Sequence, residues 1–326
     1  MKKLIATLLL LTLTVFAFVS CTDEDKKDET VIRVGYINGP TGMGMAKLIN
    51  DNPDATKYEF KFYTTPAAAK DALVAGEVDV ACLSTDVAAN TFNTVDDNTS
   101  VLAINTLSAL SLICDADTNL TAFNKANLDG KKIYTIAQGT PLKVVKALLT
   151  AYNIDAEVVT ELNGTTLNSP ENLKDAVVAG SVSIAVIPEP ALSASFAARE
   201  ASGKEAYKVV TNLSDVWNGK NSTPMAMGCI VANRKFASEH KSLINKFLDE
   251  YKASIDYVAK SENRDSAANY IVNAGILPNI KIAKSALVNL GNSIAYIDGA
   301  TMKNTLAAFY PIINMSTPKD NFYYEK

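Results

Sequence analysis

Residues 70–92, KDALVAGEVDVACLSTDVAANTF, align without a gap on residues 174–196, KDAVVAGSVSIAVIPEPALSASF. The two share Lys, Asp, Ala, Val, Ala, Gly, Val, Ala and Phe, and several other positions exchange one aliphatic for another. The chain therefore builds one supersecondary unit twice. Copies about a hundred residues apart are too sparse for a solenoid, whose periods run roughly 20–50 residues. They suit two similar lobes that face each other across a ligand cleft.

Each copy sits in a longer matching pattern. VIRVGYI (31–37) is β-rich, Asn38-Gly39-Pro40-Thr41-Gly42 turns, and MGMAKLI is helical. YEFKFYT alternates as a strand, Pro66 opens a helix that Gly76 stops, and VDVACL (78–83) is a continuous apolar strand. Ser84-Thr85-Asp86 then leads into VAANTF. The pattern restarts with LDGKKIYTIA (128–137), Gln138-Gly139-Thr140-Pro141, a helix, AEVVTEL, another Gly-stopped helix, VSIAVI (182–187) and Pro188-Glu189-Pro190. Asn38-Gly39 thus corresponds to Gln138-Gly139. Strand–turn–helix order predicts α/β lobes with mostly parallel sheets.

LSALSLICD (107–115) and MAMGCIVANRK (225–235) are the expected hinge strands between lobes. The helical remainder, from KSLINKFLDEYKASIDYVAK (241–260) to the end, is assigned to the first lobe. The expected division is 31–112 plus 229–326 for lobe I and 113–228 for lobe II. Cys114 and Cys229 fall on the two proposed strands, which, if adjacent and antiparallel, bring them within the roughly 4.4–6.8 Å between Cα atoms that a disulfide needs. The alternative for Cys82, Cys114 and Cys229 is a buried thiol acting as a small hydrophobe.

Met1–Cys21 reads as an export signal, with Lys2 and Lys3 ahead of an apolar run that closes on Phe18-Val19-Ser20-Cys21. It resembles a bacterial lipoprotein signal, which makes Cys21 the lipidated N-terminus and residues 22–30 a solvated tether. The alternative is an uncleaved anchor, but the run is shorter than the roughly 20 residues a spanning helix needs. Net charge is −4 with no basic block, so no nucleic-acid partner is expected. The only histidine, His240, lies in polar surroundings. One histidine excludes His-pair metal motifs and leaves no relay for a nucleophile, so no catalytic residue, metal or cofactor is expected.

VGYINGPTGMGMAKLI, AGEVDVACLSTDVAANTF, LDGKKIYTIAQGTP, GSVSIAVIPEPALS, LSDVWN, FLDEYKASIDYV and the terminal DNFYYEK, in that order, resemble extracytoplasmic solute-binding proteins of ABC importers, in the nitrate/sulfonate/taurine and thiamine-pyrimidine-precursor group. The resemblance implies a type II periplasmic-binding-protein fold of two Rossmann-like lobes joined by two hinge strands. It also implies a monomer that takes a small-molecule solute, an ABC permease as partner, and an extracytoplasmic position (periplasm or cell surface) with a lipid-membrane anchor through Cys21.

Ligands of open α/β sheets sit beyond the carboxyl ends of the strands, near helix N-termini. The candidate ligand-binding residues are therefore Asn38, Gly39, Pro40, Thr41 and Gly42; Ser84, Thr85 and Asp86; Gln138, Gly139 and Thr140; and Glu189. Thr41, Ser84, Thr85 and Thr140 either place hydroxyls on a ligand or cap helices. Glu189 and Asp86 either accept from a ligand or sit where a helix dipole favours an acid. Tyr36 and Phe92 read more readily as core than as ligand contacts. Trp217, in NLSDVWNGKNS, is a candidate for the cleft rim or a lobe contact. No Arg or Lys lies in the four turns, so an oxyanion, a neutral heterocycle and a zwitterion all remain open. The competing functions are an enzyme acting on a small carboxylate or pyrimidine on the same fold, as menaquinone-pathway enzymes of similar fold do, and a sensory or surface binding protein.

Overall fold

The computed structural model describes residues 30–94 and 98–326. The expected signal, its lipidated Cys21 and all but the last residue of the tether lie outside the described residues. Val31–Lys326 forms one compact unit.

The chain begins β1 (Ile32–Ile37), α1 (Pro40–Met43), α2 (Ala46–Asn50), β2 (Tyr58–Tyr63), α3 (Pro66–Val74), β3 (Val80–Ser84), α4 (Thr85–Thr94) and β4 (Thr99–Thr106). After a short crossing come β5 (Leu110–Cys114), α5 (Lys125–Leu128), β6 (Lys132–Tyr134), α6 (Gly139–Ala151), β7 (Glu157–Val159) and a small hairpin of β8 (Glu161–Leu162) and β9 (Thr165–Thr166). Then follow α7 (Pro170–Ala179), β10 (Ile184–Pro188), α8 (Ala191–Ala201), β11 (Lys208–Asn212) and α9 (Leu213–Asn218). The rest is β12 (Gly228–Asn233), α10 (Arg234–Glu239), α11 (Lys241–Ala259), α12 (Arg264–Asn273), α13 (Ile280–Leu290), β13 (Ile294–Ile297) and α14 (Gly299–Ile312).

The repeat is realised element for element. α3 and α7 both open on proline, behind Thr65 and Ser169, whose hydroxyls accept from the backbone N–H of Ala68 and Asn172 at 3.1 and 3.2 Å. Both end before a glycine of positive φ, Gly76 at 72° and Gly180 at 79°, where a side chain would be strained. β3 and β10 follow as buried strands, and α4 and α8 as the next helices.

One sheet runs β13-β4-β12-β3-β1-β2, the other β11-β5-β10-β6-β7. The expectation of mostly parallel sheets is corrected. β1 is parallel to β2 and β3, and β6 to β7 and β10. However, β12 runs antiparallel between β3 and β4, and β5 antiparallel between β10 and β11. These are the strands that enter a sheet from the other lobe, so they arrive in the opposite direction. Two connections join the sheets, through residues 107–109 and through the segment from α9 to Met227. A boundary at 112/113 falls inside β5, which pairs with β10 along its whole length.

That topology also removes the proposed disulfide. β5 carries Cys114 in one sheet and β12 carries Cys229 in the other, so the strands are not neighbours. Cys82, Cys114 and Cys229 are all free and buried.

The C-terminal helices close the first lobe. α11 buries Ile244, Phe247, Leu248, Tyr251, Ile255 and Val258 at helical spacing. Each such side chain contributes about 1.5–3 kcal/mol on leaving water. The tail returns to the first sheet: Tyr324 N donates to Val101 O at 3.0 Å, and Phe322 packs on Phe92 with ring centroids 5.1 Å apart. No described helix is long and apolar enough to cross a membrane.

Candidate functional site at the junction of the lobes

The four predicted turns lie at the carboxyl ends of β1, β3, β6 and β10, each ahead of a helix. Two of them carry carboxylates that reach the opposite lobe.

The first contact centres on Asp86, at the start of α4 and 2% exposed. Its Oδ1 accepts from Ser84 Oγ and from Thr140 Oγ1 of α6, both at 2.8 Å. Its Oδ2 meets Lys143 Nζ at 2.9 Å. Thus Ser84, Asp86 and Thr140 come together, and α6 has no cap from its own Gln138 side chain. A carboxylate at the first turn of a helix is favoured by the helix dipole, and the Lys143 ammonium from α6 adds charge compensation.

The second contact centres on Glu189, 4% exposed. Its carboxyl accepts from Ser193 N at 3.3 Å, Ser193 Oγ at 3.1 Å and Asn289 Nδ2 of α13 at 2.7 Å. No cation joins it in an ion pair among the described residues. Burial pushes the Glu189 carboxyl above its ordinary range, and the bonds from Asn289 and Ser193 oppose that without cancelling it. Beside it, Ser193, Phe196, Ala197 and Glu200 of α8 face Lys281, Ser285, Val288 and Asn289 of α13 across a cavity of about 270 Å³. Lys281 and Glu200 pair at 2.7 Å at its rim. A larger cavity, of about 370 Å³, lies beside the end of α11 and involves none of the predicted residues.

Other predicted residues have structural duties. Thr85 is fully buried, and its hydroxyl donates to Ala226 O at 2.7 Å, which ties it to the return segment. Gly42 is required by the turn itself, since a Cβ there meets Ile37 O at 2.0 Å. Gly39 (φ 98°) and Gly139 (φ 80°) occupy equivalent turns; a Cβ at Gly39 meets nothing, and one at Gly139 meets Pro141 Cδ at 3.6 Å. Asn38 and Gln138 are exposed and Pro40 is half-buried. Thr41 is buried, and its hydroxyl makes no hydrogen bond among the described residues.

Trp217, expected at the cleft rim or as a lobe contact, is not exposed at a rim. It lies on α9 rather than in a loop, is fully buried, donates Nε1–H to Thr223 O at 2.7 Å and packs on Phe309 of α14 at 5.4 Å. Its apolar surface anchors the returning chain to the first lobe. Tyr36 and Phe92 are likewise core.

Lys143, Ser193, Asn289 and a buried polar set beneath the first turn went unpredicted. In that set Asn105 Nδ2 donates to Tyr251 Oη at 3.0 Å, and Tyr251 Oη donates to Thr41 O at 3.4 Å. Gly228 leaves room for it: a Cβ there meets Thr41 Cγ2 at 2.2 Å. Lys143 follows Thr140 at i+3, a helical spacing that places both on one face. Asn289 has no local signal at all.

The groups at this junction can hold and orient a polar guest. Thiol chemistry is disfavoured, because burial pushes Cys82 up to about 12 and Cys229 well above its ordinary value. No cluster of three or more His, Cys, Asp or Glu side chains able to hold a metal occurs among the described residues.

The fold is that of known binding proteins. An ABC transporter protein from Parabacteroides distasonis superposes with a TM-score of 0.73 at 20% identity, over 91% of this chain and 99% of that one. The zinc-bound ligand-binding component of an ABC-type import system from Staphylococcus aureus gives 0.67 at 15% identity, over 91% and 96%. The periplasmic aliphatic sulphonate binding protein SsuA of Escherichia coli gives 0.64 at 17%, over 87% and 85%. No curated protein matches the sequence. The model of the family described as "Menaquinone biosynthesis" matches residues 120–309, more than half of the sequence, and the chain belongs to that family.

Proposed function

We propose that this protein binds a small solute between its lobes and delivers it to an ABC importer, without chemistry at the site. The observation that carries the reading is the pair of buried polar contacts across the lobe junction, at the helix N-termini where this fold places ligands. The fold shared with importer-binding proteins supports the same reading. Ser84, Asp86, Thr140, Lys143, Glu189 and Asn289 are the residues proposed to contact or enclose the solute, with Thr41 offering a free hydroxyl. The protein is proposed to act as an extracytoplasmic monomer, held to a lipid membrane through Cys21.

A thermal-shift screen with sulfonates, carboxylates, pyrimidines and nitrate tests the binding reading, since a ligand of the native state raises apparent stability. At a ligand concentration of 100 Kd the gain is about 2.7 kcal/mol. Stabilisation by one of these classes, with the compound recovered unchanged, is the expected result. No stabilisation by any of them counts against it. Loss of radiolabelled-lipid incorporation in Cys21→Ser tests the anchor.

The family match favours a second reading, an enzyme acting on a small carboxylate. Product detected by mass spectrometry after incubation with a compound that stabilises the protein would select it.

A further inference from the structure

Glu189 stands beside one of the two crossings between the lobes. Its backbone N–H donates to Ala109 O, and Leu107 N–H donates to Ser293 O, both at 2.8 Å, so the crossing at 107–109 is held from each side. The Asn289–Glu189 bond then ties the side chains across the same joint. We propose that Glu189 and Asn289 form a latch whose closing is coupled to proton uptake by Glu189, so that acid favours the closed arrangement of the lobes. The latch rests on the reading that the lobes open and close around a solute.

The argument starts from the surroundings of the carboxyl. Its hydrogen-bond donors are the amide of Asn289 and the N–H and hydroxyl of Ser193. The charged groups on the elements around it are engaged elsewhere. Arg199 of α8 donates to the carbonyls of Glu205, Val177 and Val178. Glu200 pairs with Lys281 of α13, Lys284 of α13 with Asp265, and Lys174 of α7 with Asp175. Glu171 at the start of α7 is exposed. Lys208 of β11 donates to Leu120 O, and Lys132 of β6 pairs with Glu157 of β7. A carboxylate here is thus buried against neutral donors, and ionisation is costly.

Parting α13 from α8 lets water reach the carboxyl and returns it towards its ordinary range. The closed form therefore binds the proton more tightly than the open form. By linkage, protonation favours closure. The sign is definite. The contribution to closure is complete below the ordinary glutamate value and is lost as pH rises through the raised closed-state value. A neutral carboxyl still accepts from Asn289 through its carbonyl oxygen, so the latch survives protonation.

Interlobe distances between nitroxide labels test this, with Glu59→Cys on β2 and Glu171→Cys on α7 as exposed attachment points. Cys82, Cys114 and Cys229 are buried and take no label. Between about pH 8 and about pH 5, the closed-to-open ratio is expected to rise by up to about tenfold per unit of difference in carboxyl pKa between the two forms. Glu189→Gln, neutral throughout, should stay closed and show no pH dependence. Asn289→Ala should lower the closed population at the alkaline end. Distances that ignore pH in the parent, the same titration in Glu189→Gln, or an unchanged closed population in Asn289→Ala would each overturn the latch. Should Glu189→Gln not fold, Asn289→Ala decides alone. The measurement uses no solute. A titrating junction in a protein that takes no ligand leaves the latch standing and the transport reading fallen, and a protein that binds solute with flat distances gives the reverse.

Discussion

Lys143 lies one helical turn beyond Thr140, and both give their polar hydrogens to Asp86 of the opposite lobe. Asp86 has a side-chain exposure of 3% and Lys143 of 31%, so the carboxylate carries most of the desolvation and depends on its donors. Lys143→Met keeps the aliphatic stem but removes the charge. It is expected to cost about 1–3 kcal/mol, the penalty of under-satisfying a buried acceptor. Urea titration should show a lower midpoint with an unchanged m-value, because the surface exposed on unfolding is the same. An unchanged midpoint would mean that Ser84 and Thr140 suffice. The acid was readable at residue scale, because Ser84-Thr85-Asp86 is a turn signal ahead of an apolar run. Its lysine was not, because the pairing is made across lobes. Thr85 shows the converse: its hydroxyl fits a ligand contact on sequence alone, yet Ala226 O claims it.

α3 and α7 are the same element written twice, and their start signals survive into the structure. Thr65 and Ser169 each accept a backbone N–H three residues on, ahead of a proline at the first helical position. Thr65→Ala and Ser169→Ala should each cost about 1 kcal/mol, and the double substitution should be additive within about 0.5 kcal/mol, because the caps share no partner. Differential denaturation of the single and double variants measures this, and a large coupling would show that the lobes are not independent at these helices. Elements with such local signals were legible: the Gly76 and Gly180 stops, the buried β3 and β10, and the amphipathic α11. Strand direction was not. β12 reads like any apolar strand, and only its arrival from the second lobe makes it antiparallel to both neighbours. α9 escaped for another reason, since a helix as short as Leu213–Asn218 in polar sequence leaves too little periodicity to detect.

Across the whole molecule, the buried thiols report on integrity. Cys82, Cys114 and Cys229 are fully shielded, and burial raises all three above the ordinary thiol value. In native protein these three should therefore be inert to a thiol reagent such as DTNB, and all three should react once the protein is unfolded in guanidinium. Reaction of any one in the native state would mean that its sheet opens locally. The duplicated helix–strand–helix unit, with its proline starts and glycine stops, follows from short-range chemistry, so the sequence alone determined two α/β lobes and put the helix-leading turns at the strand ends. The tertiary structure alone decided which sheet Cys114 and Cys229 join, that Trp217 is buried against Phe309 of the first lobe, and that Asp86 meets Lys143 and Glu189 meets Asn289. Those pairings link residues that are distant in the chain, and no local propensity or periodicity encodes which distant side chain will share a buried acid.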